Sequence, residues 1–209
     1  MNKHRLNTFV FFAVVLLAGT GVFFSLYEPE PAPLTFPNLE GVIVESPPTP
    51  LPEFAMLDQN SQPFSKANYE GKWSLVFFGY THCPEFCPTS MASLKRLSQQ
   101  PGFPPTQFVF HTVDPKRDTV ETLKDYISYF GNEFTAVTGD KAEIDKFAEP
   151  LGVIYDFDEE TNPGEYIVNH FGALYIIDPK ARLRAYMLPP HDVARVSEVY
   201  LKVREYYGN

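Results

Sequence analysis

The sequence predicts an α/β sandwich built on a mixed sheet, and three observations carry the prediction. Two nearly continuous apolar runs, residues 73–80 and 108–113, have the pattern of strands buried on both faces. Segments with apolar residues at helical spacing follow them, so strands and helices alternate. The chain then closes with a strand pair and a helix. Aromatic side chains make up 15% of the 209 residues, which is enough large apolar surface for one sizeable core. The formal net charge of −9 excludes a nucleic-acid binder, which needs a basic face to displace counterions from phosphates.

Taken in order, Lys3 and Arg5 precede an uncharged apolar run over residues 9–27. At about 1.5 Å per residue this spans a hydrocarbon core of about 30 Å. A cleaved signal has a shorter apolar region, and Leu17-Ala18-Gly19-Thr20 puts threonine where a lipoprotein box needs cysteine. Residues 1–27 therefore read as an uncleaved membrane anchor. The basic residues keep the N-terminus in the cytoplasm, and Glu28 and Glu30 follow on the outer side. A cleaved secretory signal would lead to the same compartment, so the cysteines face an oxidising space either way. Residues 28–50 hold Pro29, Pro31, Pro33, Pro37, Pro47, Pro48 and Pro50 and read as a semi-rigid extended tether. Residues 51–209 form the folded domain.

Within that domain, residues 54–64 read as a hairpin around Asp58-Gln59-Asn60, and residues 73–80 as a central strand broken by Gly79 and Pro84. Met91, Leu94 and Leu97 mark a helix over 89–99 that stops at Gln100-Pro101-Gly102. Residues 108–113 give a second strand. A helix follows over 119–130, with Asp118 or Thr119 as N-cap, then a strand over 134–138 and a helix over 141–151. Asp156-Phe157-Asp158-Glu159-Glu160 reads as a solvated loop. Residues 166–177 and 183–187 form a strand pair joined by Asp178-Pro179-Lys180-Ala181, and residues 193–207 a closing helix.

The chain has two cysteines, Cys83 and Cys87, four residues apart where a buried strand gives way to a helix. Unpaired N–H groups and the positive end of the helix dipole stabilise thiolate there, and thiolate is both nucleophile and metal ligand. On one helical turn the two sulfurs share a side, close enough to oxidise together or to grip one ion. A purely structural disulfide closing so short a loop would add little chain-entropy stabilisation. A thioredoxin-type pair has one residue fewer between its thiols, which weakens a plain oxidoreductase reading. Two soft thiolates suit Cu(I) or zinc with a further ligand. Among the histidines, His4 flanks the membrane run, and His82 adjoins Cys83 but points away from it. His111 is a packed strand residue, and His191 belongs to the first turn of the last helix. His170 stands at a loop-to-strand junction, and from the residues alone it reads as an ordinary loop histidine.

Three stretches change that reading: Phe78-Gly79-Tyr80-Thr81-His82-Cys83-Pro84-Glu85-Phe86-Cys87-Pro88, Val113-Asp114-Pro115-Lys116-Arg117-Asp118-Thr119, and Tyr166-Ile167-Val168-Asn169-His170 with Leu174-Tyr175-Ile176-Ile177-Asp178-Pro179. In this order, behind a membrane anchor, the chain from Leu51 to its end resembles the Sco/SenC family of copper-binding assembly proteins. The resemblance implies a thioredoxin-like fold in which Cys83, Cys87 and His170 bind one copper ion, Cu(I) above Cu(II). It implies that the protein serves the dinuclear copper site in subunit II of cytochrome c oxidase, from the periplasmic side of a bacterial inner membrane. Another periplasmic copper chaperone or thiol-disulfide reductase is a further expected partner. Two positions depart from the family pattern: Asn169 replaces the usual Asp before the ligand histidine, and Phe171 replaces a hydroxyl residue after it. Asp114 reads either as a carboxylate orienting a ligand or as a cap of its own turn, and Arg117 with Asp118 as a local ion pair and cap.

Three functions fit these residues. A metallochaperone passes copper to its acceptor without turnover and needs His170. A thiol-disulfide reductase attacks the acceptor disulfide with Cys83, resolves with Cys87, and does not need His170. A peroxidase ranks last, because Glu85 between the thiols opposes the cationic surroundings that peroxide-reactive thiolates require. The chain has no phosphate-binding glycine loop, His-Glu-x-x-His pair or serine nucleophile elbow, so no organic cofactor is expected.

Overall fold

The computed structural model describes residues 40–208 except 85, 160, 161 and 163. The expected anchor over 1–27 and the expected tether as far as residue 39 lie outside the described residues. Among the described residues, no helix is long and apolar enough to cross a membrane.

The architecture is a mixed sheet flanked by helices. In chain order the strands are β1 Val42–Pro50, β2 Ala55–Asp58, β3 Pro63–Ser65, β4 Ser74–Gly79, β5 Gln107–Thr112, β6 Phe134–Thr138, β7 Tyr155–Phe157, β8 Val168–His170, β9 Leu174–Ile177 and β10 Arg182–Met187. The helices are α1 Phe86–Ser98, α2 Val120–Ser128, α3 Lys141–Ala148 and α4 Val193–Tyr207. Eight of the described strands form one sheet in the order β1-β10-β9-β4-β5-β6-β2-β3. β4, β5 and β6 run parallel, and β9 lies antiparallel on the other side of β4. β4 is buried along its whole length, as its unbroken apolar run requires, and Leu75, Val76, Phe77 and Phe78 are within 2% of full burial.

The predicted order of strands and helices holds, and four details differ. Residues 42–50, assigned to the tether, pair antiparallel with β10 at the sheet edge. Their prolines are compatible with this because the register slips between Val44 and Thr49, and a proline without an N–H is tolerated at such an irregular edge. The folded unit therefore begins before residue 51. The strand expected over 166–177 is two strands, since Gly172 takes φ +56° between β8 and β9. The acidic loop also contains a strand: Tyr155–Phe157 pairs with β8 in a separate two-stranded sheet, Tyr155 opposite His170. The helix over 89–99 begins three residues earlier, at Phe86, and takes Cys87 into its first turn.

Candidate metal centre

β4 ends at Gly79, and the chain turns through Tyr80, Thr81, His82 and Cys83 before α1 begins. The Cys83 N–H donates to the Tyr80 carbonyl at 3.3 Å. One of the orphan N–H groups in the first turn of α1, that of Cys87, donates to Cys83 Sγ at 3.4 Å. Cys83 is partly buried, Cys87 is buried, and no disulfide joins them. Gly79 makes room for the second of them. A Cβ there would lie 2.8 Å from Cys87 Sγ and 3.0 Å from the Phe110 ring, so only glycine lets this sulfur rest on the end of β4.

Asp118 fastens the loop from behind. Its buried carboxylate accepts the Thr81 N–H at 3.0 Å, the Thr81 hydroxyl at 2.6 Å and the Thr112 hydroxyl at 2.6 Å. Burial raises its pKa, while these three donors pull it down. His82 lies above this anchor, with Nδ1 3.0 Å from Thr81 Oγ1 and 3.8 Å from Asp118 Oδ1 and its side chain half exposed, as expected for a residue outside the ligand set.

His170 closes the site from the other side, at the end of β8. Its Nε2 lies 3.4 Å from Cys87 Sγ, and its Nδ1 accepts the Gly172 N–H at 3.2 Å. The Phe77 and Tyr80 rings meet the imidazole edge-on, at 6.3 and 5.9 Å between centroids. One ligand atom each from Cys83, Cys87 and His170 lies within 4.8 Å of the others. The hydrogen bond with Cys83 and then burial push the Cys87 thiol well up. Two sulfurs and one imidazole nitrogen in a mostly buried pocket are a donor set suited to Cu(I).

The other candidates fall elsewhere. His111 is fully buried, 2.7 Å from the Tyr69 hydroxyl, and burial lowers its pKa to about 3. His191 lies just before the Asp192 cap rather than in the first turn of α4, buried between the Ser90 hydroxyl and the Met187 carbonyl, and so ties α1 to the end of β10. Asp114 is buried, and its carboxylate bonds Arg117 and, at 2.7 Å, the Tyr166 hydroxyl rather than Cys83, Cys87 or His170. Its carbonyl accepts the Arg117 and Asp118 N–H groups and closes the turn. The expected Arg117–Asp118 ion pair is not formed: Arg117 pairs with Asp114, Asp118 turns to Thr81 and Thr112, and Thr119 caps α2. The anchoring role of Asp118 went unread because its partner Thr81 lies 37 residues away. The sequence signal was only an acidic residue directly before a helix cap.

Comparison with known proteins places the chain. The SCO1/SenC family model matches residues 45–206. The human mitochondrial SCO2 homolog is 32% identical over 150 residues, covering 70% of this chain and 56% of that protein. This chain thus spans little more than half the length of that relative. The solved structure of Bradyrhizobium japonicum ScoI with copper bound is 31% identical with a TM-score of 0.64, covering 75% of this chain and 99% of the other. Yeast Sco1 with copper bound is 26% identical with a TM-score of 0.70, covering 77% and 91%. A family match running from β1 through α4, with the Cys83, Cys87 and His170 cluster inside it, shows that this chain belongs to the SCO1/SenC family.

Proposed function

We propose that this protein is a copper metallochaperone that binds one copper ion through Cys83, Cys87 and His170 and assists assembly of the dinuclear copper site of cytochrome c oxidase subunit II. The observation that carries the reading is the approach of these three donor atoms to within 4.8 Å of one another, from two segments about 80 residues apart. A three-coordinate site of two thiolates and an imidazole favours Cu(I) over harder ions, and a ligand carried on a short hairpin can leave to hand the ion on. The family and the copper-bound structures of its members support the same cargo. We assign the chain one N-terminal membrane helix, with the thioredoxin-like domain on the periplasmic side of a bacterial inner membrane. The oxidase subunit is its acceptor there, and a second copper chaperone or a thiol-disulfide reductase is a further partner.

A thiol-disulfide reductase acting on the same acceptor is the second reading. It is favoured by one specific feature, the partly exposed Cys83 beside a buried Cys87, the usual arrangement of an attacking and a resolving thiol. Anaerobic Cu(I) titration against a competing chelator separates the two. The expected result is one Cu(I) per chain, weakened by more than about 100-fold in His170→Ala, with exchange between the dithiol and a disulfide acceptor unchanged. Weak copper binding, or binding indifferent to His170, together with rapid reduction of the acceptor, would overturn the chaperone reading.

A further inference from the structure

The two halves of the metal centre are held very differently. Cys83 and Cys87 sit at the end of a central strand and the start of a helix. His170 sits on the β7–β8 hairpin, whose strands are three residues each and pair only with one another among the described strands. A hairpin this short is marginal in water, so its position must come from contacts outside its own ladder.

Val168 is buried in the core and the Tyr155 hydroxyl bonds Asp145, and Arg117 ties down the stretch that leads into β8. Its Nε donates to Asp114, and its Nη1 donates to the Tyr166 carbonyl at 2.9 Å and to the Gly164 carbonyl at 3.4 Å. The guanidinium also lies over the Tyr166 ring, 3.6 Å from its centroid, and the Tyr166 hydroxyl returns to Asp114 at 2.7 Å. Asp114, Arg117 and Tyr166 therefore form a closed triangle, and Tyr166 is four residues before His170 in the chain. A second route runs through Tyr80, whose ring is 5.5 Å from the guanidinium and packs edge-on against His170. The Arg117 side chain is only 12% exposed, so these contacts are largely withdrawn from water and screened little. Lysine could not replace it, because the contacts need a planar fork that donates in two directions while it stacks.

We propose that Arg117 is a positioning residue for the metal centre: it holds the β7–β8 hairpin where His170 faces Cys87. The proposal rests on the copper reading above. It assigns Asn169 a supporting role, since Asn169 Nδ2 donates to Asp158 Oδ1 at 2.7 Å across the hairpin. An Asp at this position would set two carboxylates against each other there.

The test is a double-mutant cycle on the full chain, with Arg117→Ala, His170→Ala and the double variant titrated with Cu(I) against a chelator. Arg117→Ala is expected to lose about 10- to 100-fold in affinity, and under about 2-fold when His170 is already alanine. Arg117→Lys should recover little. Hydrogen exchange of the metal-free protein gives an independent reading. The Phe171 amide, bonded to the Ile154 carbonyl, and the Asp158 amide, bonded to Ile167, should exchange faster in both Arg117 variants, while amides of β4 and β5 keep their protection. Equal affinity losses in both backgrounds, or unchanged exchange at Phe171 and Asp158, would overturn the proposal. A His170→Ala variant that binds copper as well as the wild type would defeat the copper reading instead, and exchange at the hairpin would then decide whether Arg117 positions it.

Discussion

At the scale of the residue, the site depends on one missing methyl group. Gly79→Ala would place a carbon 2.8 Å from Cys87 Sγ and about as close to two phenylalanine rings, none of which can move without disturbing the central strand. We expect a loss of about 1–3 kcal/mol in stability, the usual cost of overpacking, and a Cu(I) affinity that falls more than the affinity of any surface variant. Chemical denaturation and chelator competition on the same sample check this, and an alanine variant with wild-type affinity would show that Cys87 is not confined by β4. His111 provides a pH test far from the ligands. Its pKa falls from about 6.5 unfolded to about 3 folded, so its contribution is present above pH 6.5 and lost as pH falls toward 3. Between pH 7 and pH 5 the wild type should lose about 2 kcal/mol relative to His111→Phe, at about 1.4 kcal/mol per pH unit. Parallel stability curves for the two proteins would mean that His111 titrates in the fold as it does in the unfolded chain. Cys83 and Cys87 were legible from the sequence because their spacing encodes their proximity. His170 was legible only through the family resemblance, since nothing local separates a ligand histidine from an ordinary one. Asp118 and Arg117 act on partners 37 and 49 residues away, and no local pattern reports such pairs.

At the scale of the element, the sequence is most legible where a segment makes its own structure. β4, β5, β6 and α4 appear where periodicity put them, because their apolar patterns are long and unbroken. β1 and β7 escaped notice for the opposite reason. One is rich in proline and the other borders an acidic stretch, and each is a strand only because a neighbour offers it an edge. This has a measurable consequence at β1. A chain cut at Leu51 loses its pairing with β10 and uncovers the edge beside Leu183, Ala185 and Met187, all fully buried in the intact domain. Val42 and Val44 also pack on the core from this strand. A chain beginning at residue 40 should therefore melt at least about 5 °C above one beginning at residue 51, and the shorter chain should aggregate more readily through its bare edge. Coincident melting curves would show that β1 is a passenger on the sheet.

At the scale of the whole molecule, fold and site are energetically separable. The core is a continuous set of aromatic and aliphatic side chains running from Leu51 to Val203, and the site touches it through Cys87, Phe77 and Tyr80. The metal-free protein should accordingly be folded, and copper should act on it by mass action. A ligand at 1,000 times its dissociation constant stabilises the native state by about 4 kcal/mol. For a domain of this size that is a rise of roughly 10 °C in melting temperature. Forming a Cys83–Cys87 disulfide closes only a very short loop and so contributes little to stability, yet it removes both thiolates from the ion. Redox state thus controls loading far more than folding. Three melting curves test this: the reduced protein, the reduced protein with anaerobic Cu(I), and the oxidised protein with the same Cu(I). The second should rise well above the first, and the third should stay within a few degrees of it. His170→Ala should give an intermediate rise, because the two sulfurs remain. If the oxidised protein gained as much as the reduced one, copper would be bound away from the cysteines. If the reduced protein lost its cooperative transition without copper, the site would be part of what holds the fold, and the separation argued from the core would fail.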